Sequence, residues 1–114
     1  GQVALGYLGD SGGDTWNGYL TVITDAFSPM PLMTTVQVNA WGDPLDTTAD
    51  CGFNRCGGFG DFNDIVIDQY GRPWFGLAHN VGGEIGIFGT MAVGPSLRGN
   101  GTLAELPPGG PGTL

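Results

Sequence analysis

Residues 60–80 (GDFNDIVIDQYGRPWFGLAHN) constrain the fold more than any other segment, because they have the pattern of a β-hairpin. An apolar, β-branched run is followed by a short turn and by a second apolar run that begins at Pro73. Gly71 can adopt the positive φ that a short hairpin turn requires, and proline is tolerated at the first position of a strand. We expect Arg72, which lies in this turn, to be at the periphery of the folded chain and to pair with Asp68.

Four further segments have the composition of β-strands: residues 3–8, 16–24, 34–39 and 84–93. Residues 34–39 (TTVQVN) alternate polar and apolar side chains, which is typical of a half-exposed edge strand. No apolar stripe with a period of 3.6 residues extends beyond about two turns. We therefore predict an all-β, antiparallel protein with a long irregular loop over residues 40–60.

Composition indicates an ordered chain that is rich in turns. The 114 residues include 23 glycines and 8 prolines, yet 40% of the residues are hydrophobic and three are tryptophan. No apolar stretch reaches the roughly 18 residues that a membrane span needs, and no signal-peptide pattern is present. We interpret the start at Gly1 as that of a processed product whose targeting segment, if any, has been removed.

The charge balance excludes several classes of partner. Eleven acidic residues stand against three arginines and no lysine, which gives a formal net charge of −8 at pH 7. A chain this acidic repels nucleic-acid phosphates and anionic membranes. Divalent cations and neutral or cationic partners remain compatible with it, and the acidity suits an exported or surface protein.

The two cysteines, Cys51 and Cys56, lie in the sequence CGFNRC within the long loop. A zinc site would need two more closely spaced ligands, and the single histidine, His79, is 23 residues beyond Cys56. We favour a disulfide over free thiols or a metal site. Such a bridge would persist outside the cytosol, which favours a secreted, periplasmic or cell-surface location.

The order of three of these features resembles that in secreted, sialidase-like β-propeller proteins of bacteria and archaea. The features are the TTVQV strand at residues 34–38, the loop with two cysteines, and the D-F-x-x-I-x-I-D-x-x-G-R hairpin at residues 61–72. Residues 23–25 (ITD), ending at Asp25, resemble the start of the Asp-box turn of that superfamily in a degenerate form, and residues 10–16 (DSGGDTW) resemble its end but have Ser11 in place of the aspartate. The resemblance implies antiparallel four-stranded blades, about one and a half of them, over residues 1–93. The blade boundary would lie in loop 40–60, and residues 94–114 would form a Pro/Gly-rich tail.

A propeller needs about 4 to 8 blades, so this chain cannot close one by itself. We expect it to be a C-terminal fragment, or a subunit whose remaining blades come from other chains. Sialidases use an arginine cluster with a tyrosine and glutamate pair, and no such set is visible here. We therefore expect a non-catalytic structural, assembly or binding part. The alternatives are a fragment of a secreted exo-glycosidase whose catalytic residues lie elsewhere, and a glycan-binding, lectin-like propeller.

Asp61 and Asp64 are the best candidates for a ligand site in the sequence. Clustered carboxylates at the start of an inner strand can bind Ca²⁺ or a sugar hydroxyl, but capping and strand hydrogen bonds are the favoured explanation. His79 is expected at a loop tip, where it is solvated or hydrogen-bonded rather than catalytic. Asn100 begins the glycosylation pattern N-G-T. Aromatic residues in the strands are either core or a sugar-stacking platform.

Overall fold

The computed structural model describes residues 1–13, 15–45, 63–79, 85–99 and 101–104. These residues form six β-strands and no helix, so the prediction of an all-β, antiparallel chain is confirmed. The strands are β1 (Val3–Asp10), β2 (Trp16–Thr24), β3 (Leu32–Gln37), β4 (Asp64–Ile67), β5 (Pro73–His79) and β6 (Ile85–Thr90). In the described ranges there is accordingly no helix capable of crossing a membrane.

The strands form two antiparallel meanders. Sheet 1 has the order β1-β2-β3 and sheet 2 has the order β4-β5-β6. Each sheet has three strands within the described ranges, one fewer than the predicted four-stranded blade. β3 lies at the edge of sheet 1, as its alternating pattern indicates.

Two strands show how well local patterns locate strand ends. β2 occupies the predicted residues, because a β-branched and aromatic run lies between a glycine-rich turn and Asp25. β3 was predicted at residues 34–39 but begins two residues earlier, since Leu32 already pairs with Thr24. Asn39 lies beyond the strand, where its side chain accepts a hydrogen bond from the Gly18 N–H at 2.8 Å.

The two sheets pack face to face, and glycines bring their backbones close together. A Cβ at Gly6 would lie 2.6 Å from the ring of Phe75, and one at Gly18 would lie 2.6 Å from Leu77. Bulky side chains of β5 thus fill space that β1 and β2 leave empty. The core comprises the buried residues Leu20, Val22, Leu45, Phe75, Leu77, Met91 and Leu103.

The described part of the predicted tail packs onto the β4–β5 turn. The Leu97 N–H donates to the Gly71 carbonyl at 2.9 Å, and the buried Ser96 hydroxyl donates to the Tyr70 carbonyl at 2.9 Å. Leu103 contributes to the core. Residues 105–114 lie outside the described ranges.

Candidate functional site

The sequence-predicted ligand site lies only partly within the described structure. Asp61, Cys51, Cys56 and Asn100 are all outside it. Asp64 is exposed at the start of β4, and its Oδ1 accepts a hydrogen bond from the Ile65 N–H at 2.8 Å. Among the described residues, no group of three or more metal-ligating side chains comes together. The calcium site, the disulfide and the glycosylation site stay predictions.

Asp68 organises the β4–β5 turn. Its Oδ1 accepts hydrogen bonds from the N–H groups of Tyr70 at 2.8 Å and Arg72 at 3.0 Å, and its Oδ2 accepts one from Trp74 Nε1 at 3.0 Å. Gly71 has a φ of 85°, as the hairpin turn requires. Partial burial is the largest single influence on the Asp68 pKa and acts to raise it. The three hydrogen bonds and the charge of Arg72 outweigh burial, so the pKa lies below its usual value of 3.8.

The expectation that Arg72 lies at the periphery is wrong, because Arg72 is buried. It does pair with Asp68, but the hydrogen bond comes from its backbone N–H and not from its guanidinium. The guanidinium is buried, and it donates to the main-chain carbonyls of Met91 and Ala104. A planar group with five donors can satisfy several carbonyls at once, and this binds the hairpin turn to the segment after β6.

Two further turns rely on aspartate. Asp25 has a φ of 51°, a conformation that aspartate tolerates better than most residues, and its carbonyl accepts the Ser28 N–H at 2.8 Å. In the β1–β2 turn, Asp10 Oδ1 accepts the N–H groups of Gly12 at 2.7 Å and Thr15 at 3.1 Å. Both aspartates therefore act as turn residues.

A buried polar cluster lies where loop 38–45 meets the end of β5. Asn39 donates to Asn17 Oδ1 at 2.9 Å and to the Asp43 carbonyl at 3.0 Å. His79 Nε2 lies 3.2 Å from that carbonyl and 3.2 Å from Asp43 Oδ2. Both partners are acceptors, so Nε2 carries the proton. These contacts hold the loop against the core.

His79 is buried rather than solvated at a loop tip. The sequence contains a signal for this, because Pro73, Phe75 and Leu77 precede His79 at intervals of two and share its face of β5. Its partner Asp43 is 36 residues away, and no local pattern indicates that pairing.

The outer face of sheet 1 is uncharged and combines apolar, aromatic and neutral polar side chains. By the strand register it consists of eleven residues: Val3, Leu5, Tyr7, Gly9, Asn17, Tyr19, Thr21, Ile23, Met33, Thr35 and Gln37. Met33 is 61% exposed and Leu5 is 46% exposed. Tyr7 stacks on Tyr19 with ring centroids 5.6 Å apart. Tyr7 also makes a 3.1 Å hydrogen bond to Thr21, so much of the polar capacity of this face is satisfied internally.

The outer face of sheet 2 combines aromatic and very small residues. Its members are Asp64, Val66, Trp74, Gly76, Ala78, Gly86, Phe88 and Thr90. Val66 is 57% exposed, and Trp74 and Phe88 pack with ring centroids 5.9 Å apart. A Cβ at Gly86 would meet no atom within 4 Å, so this glycine leaves open space on the surface.

The described residues thus provide two uncovered apolar faces on opposite sides of a packed pair of sheets, a surface typical of interaction rather than of isolated solubility. Trp41 is 87% exposed in loop 38–45 and belongs to neither face. Searches with the whole chain found no matching family model, no matching curated protein and no matching solved structure.

Proposed function

We propose that the chain is a non-catalytic structural, assembly or binding part of an extracytoplasmic, sialidase-like β-propeller. The observation that carries this proposal is that both outer sheet faces expose large apolar side chains. In a propeller every blade is covered on both faces by its neighbours, so two blades cut from one would expose just such faces. The two consecutive antiparallel meanders, packed face to face, suit neighbouring blades.

The contacts of the arginines favour this role over the exo-glycosidase alternative. Binding a substrate carboxylate requires guanidinium groups that are free to receive it. Arg72 is committed to main-chain carbonyls, and Arg98 Nε donates to the Asp68 carbonyl at 2.8 Å. The third arginine, Arg55, lies outside the described ranges. At least part of a catalytic arginine cluster would therefore have to come from other blades.

Methionine oxidation of the native species tests whether the faces are covered. Met33 on the outer face of sheet 1 is 61% exposed in this chain, and Met30 in the preceding loop is 88% exposed. If neighbouring blades cover the face, Met33 is protected from peroxide in the native species while Met30 is oxidised. Both are oxidised in the denatured chain, which is the control. Oxidation of Met33 as fast as Met30 in the native species would contradict the proposal.

A further inference from the structure

The contact between sheets 1 and 2 shows how this chain pairs its sheets. Bulky side chains on one sheet enter positions where the other has glycine, as Phe75 does at Gly6 and Leu77 at Gly18. This arrangement removes apolar surface from water, because each bulky side chain occupies the space that a glycine leaves free.

The two outer faces carry the two kinds of position found in that contact, which are protruding side chains and open glycines. The outer face of sheet 1 has protruding side chains, with Leu5, Tyr7 and Met33 each more than two-fifths exposed. The outer face of sheet 2 has open positions at Gly86 and at Gly76, where the nearest atom to a Cβ would be 3.9 Å away. Val66 and Phe88 also protrude from the outer face of sheet 2, but its open glycine positions can receive the side chains that protrude from sheet 1.

The charge distribution permits contact between copies despite a net charge of −8. None of the eleven residues on the outer face of sheet 1 is charged, and Asp64 is the one acidic residue on the outer face of sheet 2 within the described ranges. The other described carboxylates, Asp10, Asp25, Asp43 and Asp68, lie at strand ends or in turns and loops. Among the described residues, acidic side chains therefore lie mostly outside this contact.

The area of the faces favours a ring over a simple pair. Three strands of about six residues cover roughly 14 Å by 20 Å, or roughly 300 Å² on each face. One contact between two faces buries roughly 600 Å², whereas stable interfaces bury about 1,200 to 2,000 Å². A copy that uses both of its faces reaches the lower end of that range.

We infer that copies of this chain stack head to tail, the outer face of sheet 1 of one copy on the outer face of sheet 2 of the next, and close into a ring. This inference rests on the proposed function, and it names a second copy as the source of the neighbouring sheets. With two sheets per chain, a propeller of 4 to 8 blades needs about two to four copies. A head-to-tail contact that closes on itself leaves no face uncovered.

Four single substitutions to lysine, matched in charge, test this arrangement by sedimentation. Met33→Lys blocks the outer face of sheet 1, and Val66→Lys blocks that of sheet 2. Met30→Lys and Val93→Lys are controls, since both side chains are at least 76% exposed and lie outside the two faces. Far-ultraviolet circular dichroism identifies any variant that does not fold.

The wild-type chain and both controls are expected to sediment as multiples of 11.8 kDa, and each face variant as a single chain. A 1:1 mixture of Met33→Lys and Val66→Lys retains one intact contact of roughly 600 Å², so it is expected to associate more weakly than the wild type and no further than a heterodimer. A monomeric wild type overturns the inference, and so does a mixture that forms species larger than a heterodimer. So does a self-associating face variant, which would indicate contact between like faces.

The outcomes also separate this inference from the proposed function. If Met33 is protected in the native species while the isolated chain stays monomeric, different chains cover the faces. The proposed function then stands and the ring of copies is rejected. If Met33 is unprotected in the native species, both fail.

Discussion

Arg72 is a buried charged residue in the described structure. Only 5% of its surface is exposed, and its guanidinium joins the hairpin turn to the carbonyls of Met91 and Ala104. A buried charge is tolerated when its donors are satisfied, and removing it leaves buried acceptors without partners. Arg72 therefore stabilises the contact between two distant segments.

Replacing Arg72 with methionine is expected to lower the free energy of unfolding by about 2–4 kcal/mol, because the buried Met91 carbonyl and the part-buried Ala104 carbonyl lose their donor. Urea denaturation measures this change. Arg98→Met is the matched control, since Arg98 is exposed and its loss is expected to cost under about 0.5 kcal/mol. Equal losses for the two variants would show that the carbonyl contacts contribute little.

Asp68 makes stability depend on acid pH. Its pKa is lowered in the folded chain, so the ionised carboxylate stabilises the fold. This contribution is present above the unfolded-state value near 3.8 and is lost as the pH falls through the lower folded-state pKa. Asp68→Asn is expected to reduce stability at neutral pH and to remove that part of the acid dependence. Urea midpoints for both proteins across the acid range test this. If the urea midpoints of the two proteins change with pH in parallel, the prediction is contradicted.

At the scale of strands and sheets, glycine decides how closely the two meanders approach. Gly6 and Gly18 lie directly over Phe75 and Leu77, whereas Gly76 and Gly86 lie on an outer face. The two pairs look alike in the sequence, as single glycines within apolar strands. Only the first pair is required for packing between the sheets.

Gly6→Ala is expected to destabilise the chain by about 1–3 kcal/mol, because the new methyl group overlaps the Phe75 ring, which is too deeply buried to move aside. Gly86→Ala is the control, and because its Cβ points into open space it is expected to be neutral or slightly stabilising. The cost at Gly6 should shrink when Phe75 is replaced by leucine. Thermal or urea unfolding of the wild type, Gly6→Ala, Phe75→Leu and the double variant measures the coupling between the two positions. Additive changes in the free energy of unfolding would contradict the contact.

The whole molecule combines a high negative charge with uncharged apolar faces. Its extents of 48 × 36 × 23 Å describe a flat body with the two faces on opposite sides of the packed sheets. Copies at −8 repel one another through solvent, while contact between the faces is apolar.

Raising the salt concentration is therefore expected to strengthen self-association, because the screening length falls from about 30 Å at 0.01 M to about 8 Å at 0.15 M. Sedimentation of the wild-type chain at the two ionic strengths measures the shift in mass. Weaker association at higher salt would instead indicate that opposite charges hold the copies together.

The sequence by itself determined the features that depend on near neighbours along the chain. Alternation and β-branching predict β2, β5 and the edge position of β3, and the φ of Gly71 follows from a short hairpin turn. The tertiary structure decided the rest. The contacts of Arg72 with Met91, of His79 with Asp43 and of Gly6 with Phe75 join residues 19 to 69 positions apart. Leu103 joins a core whose other members all precede it by more than ten positions. Such contacts depend on how two sheets pack face to face, and no local period records which side chain of one sheet meets which backbone of the other.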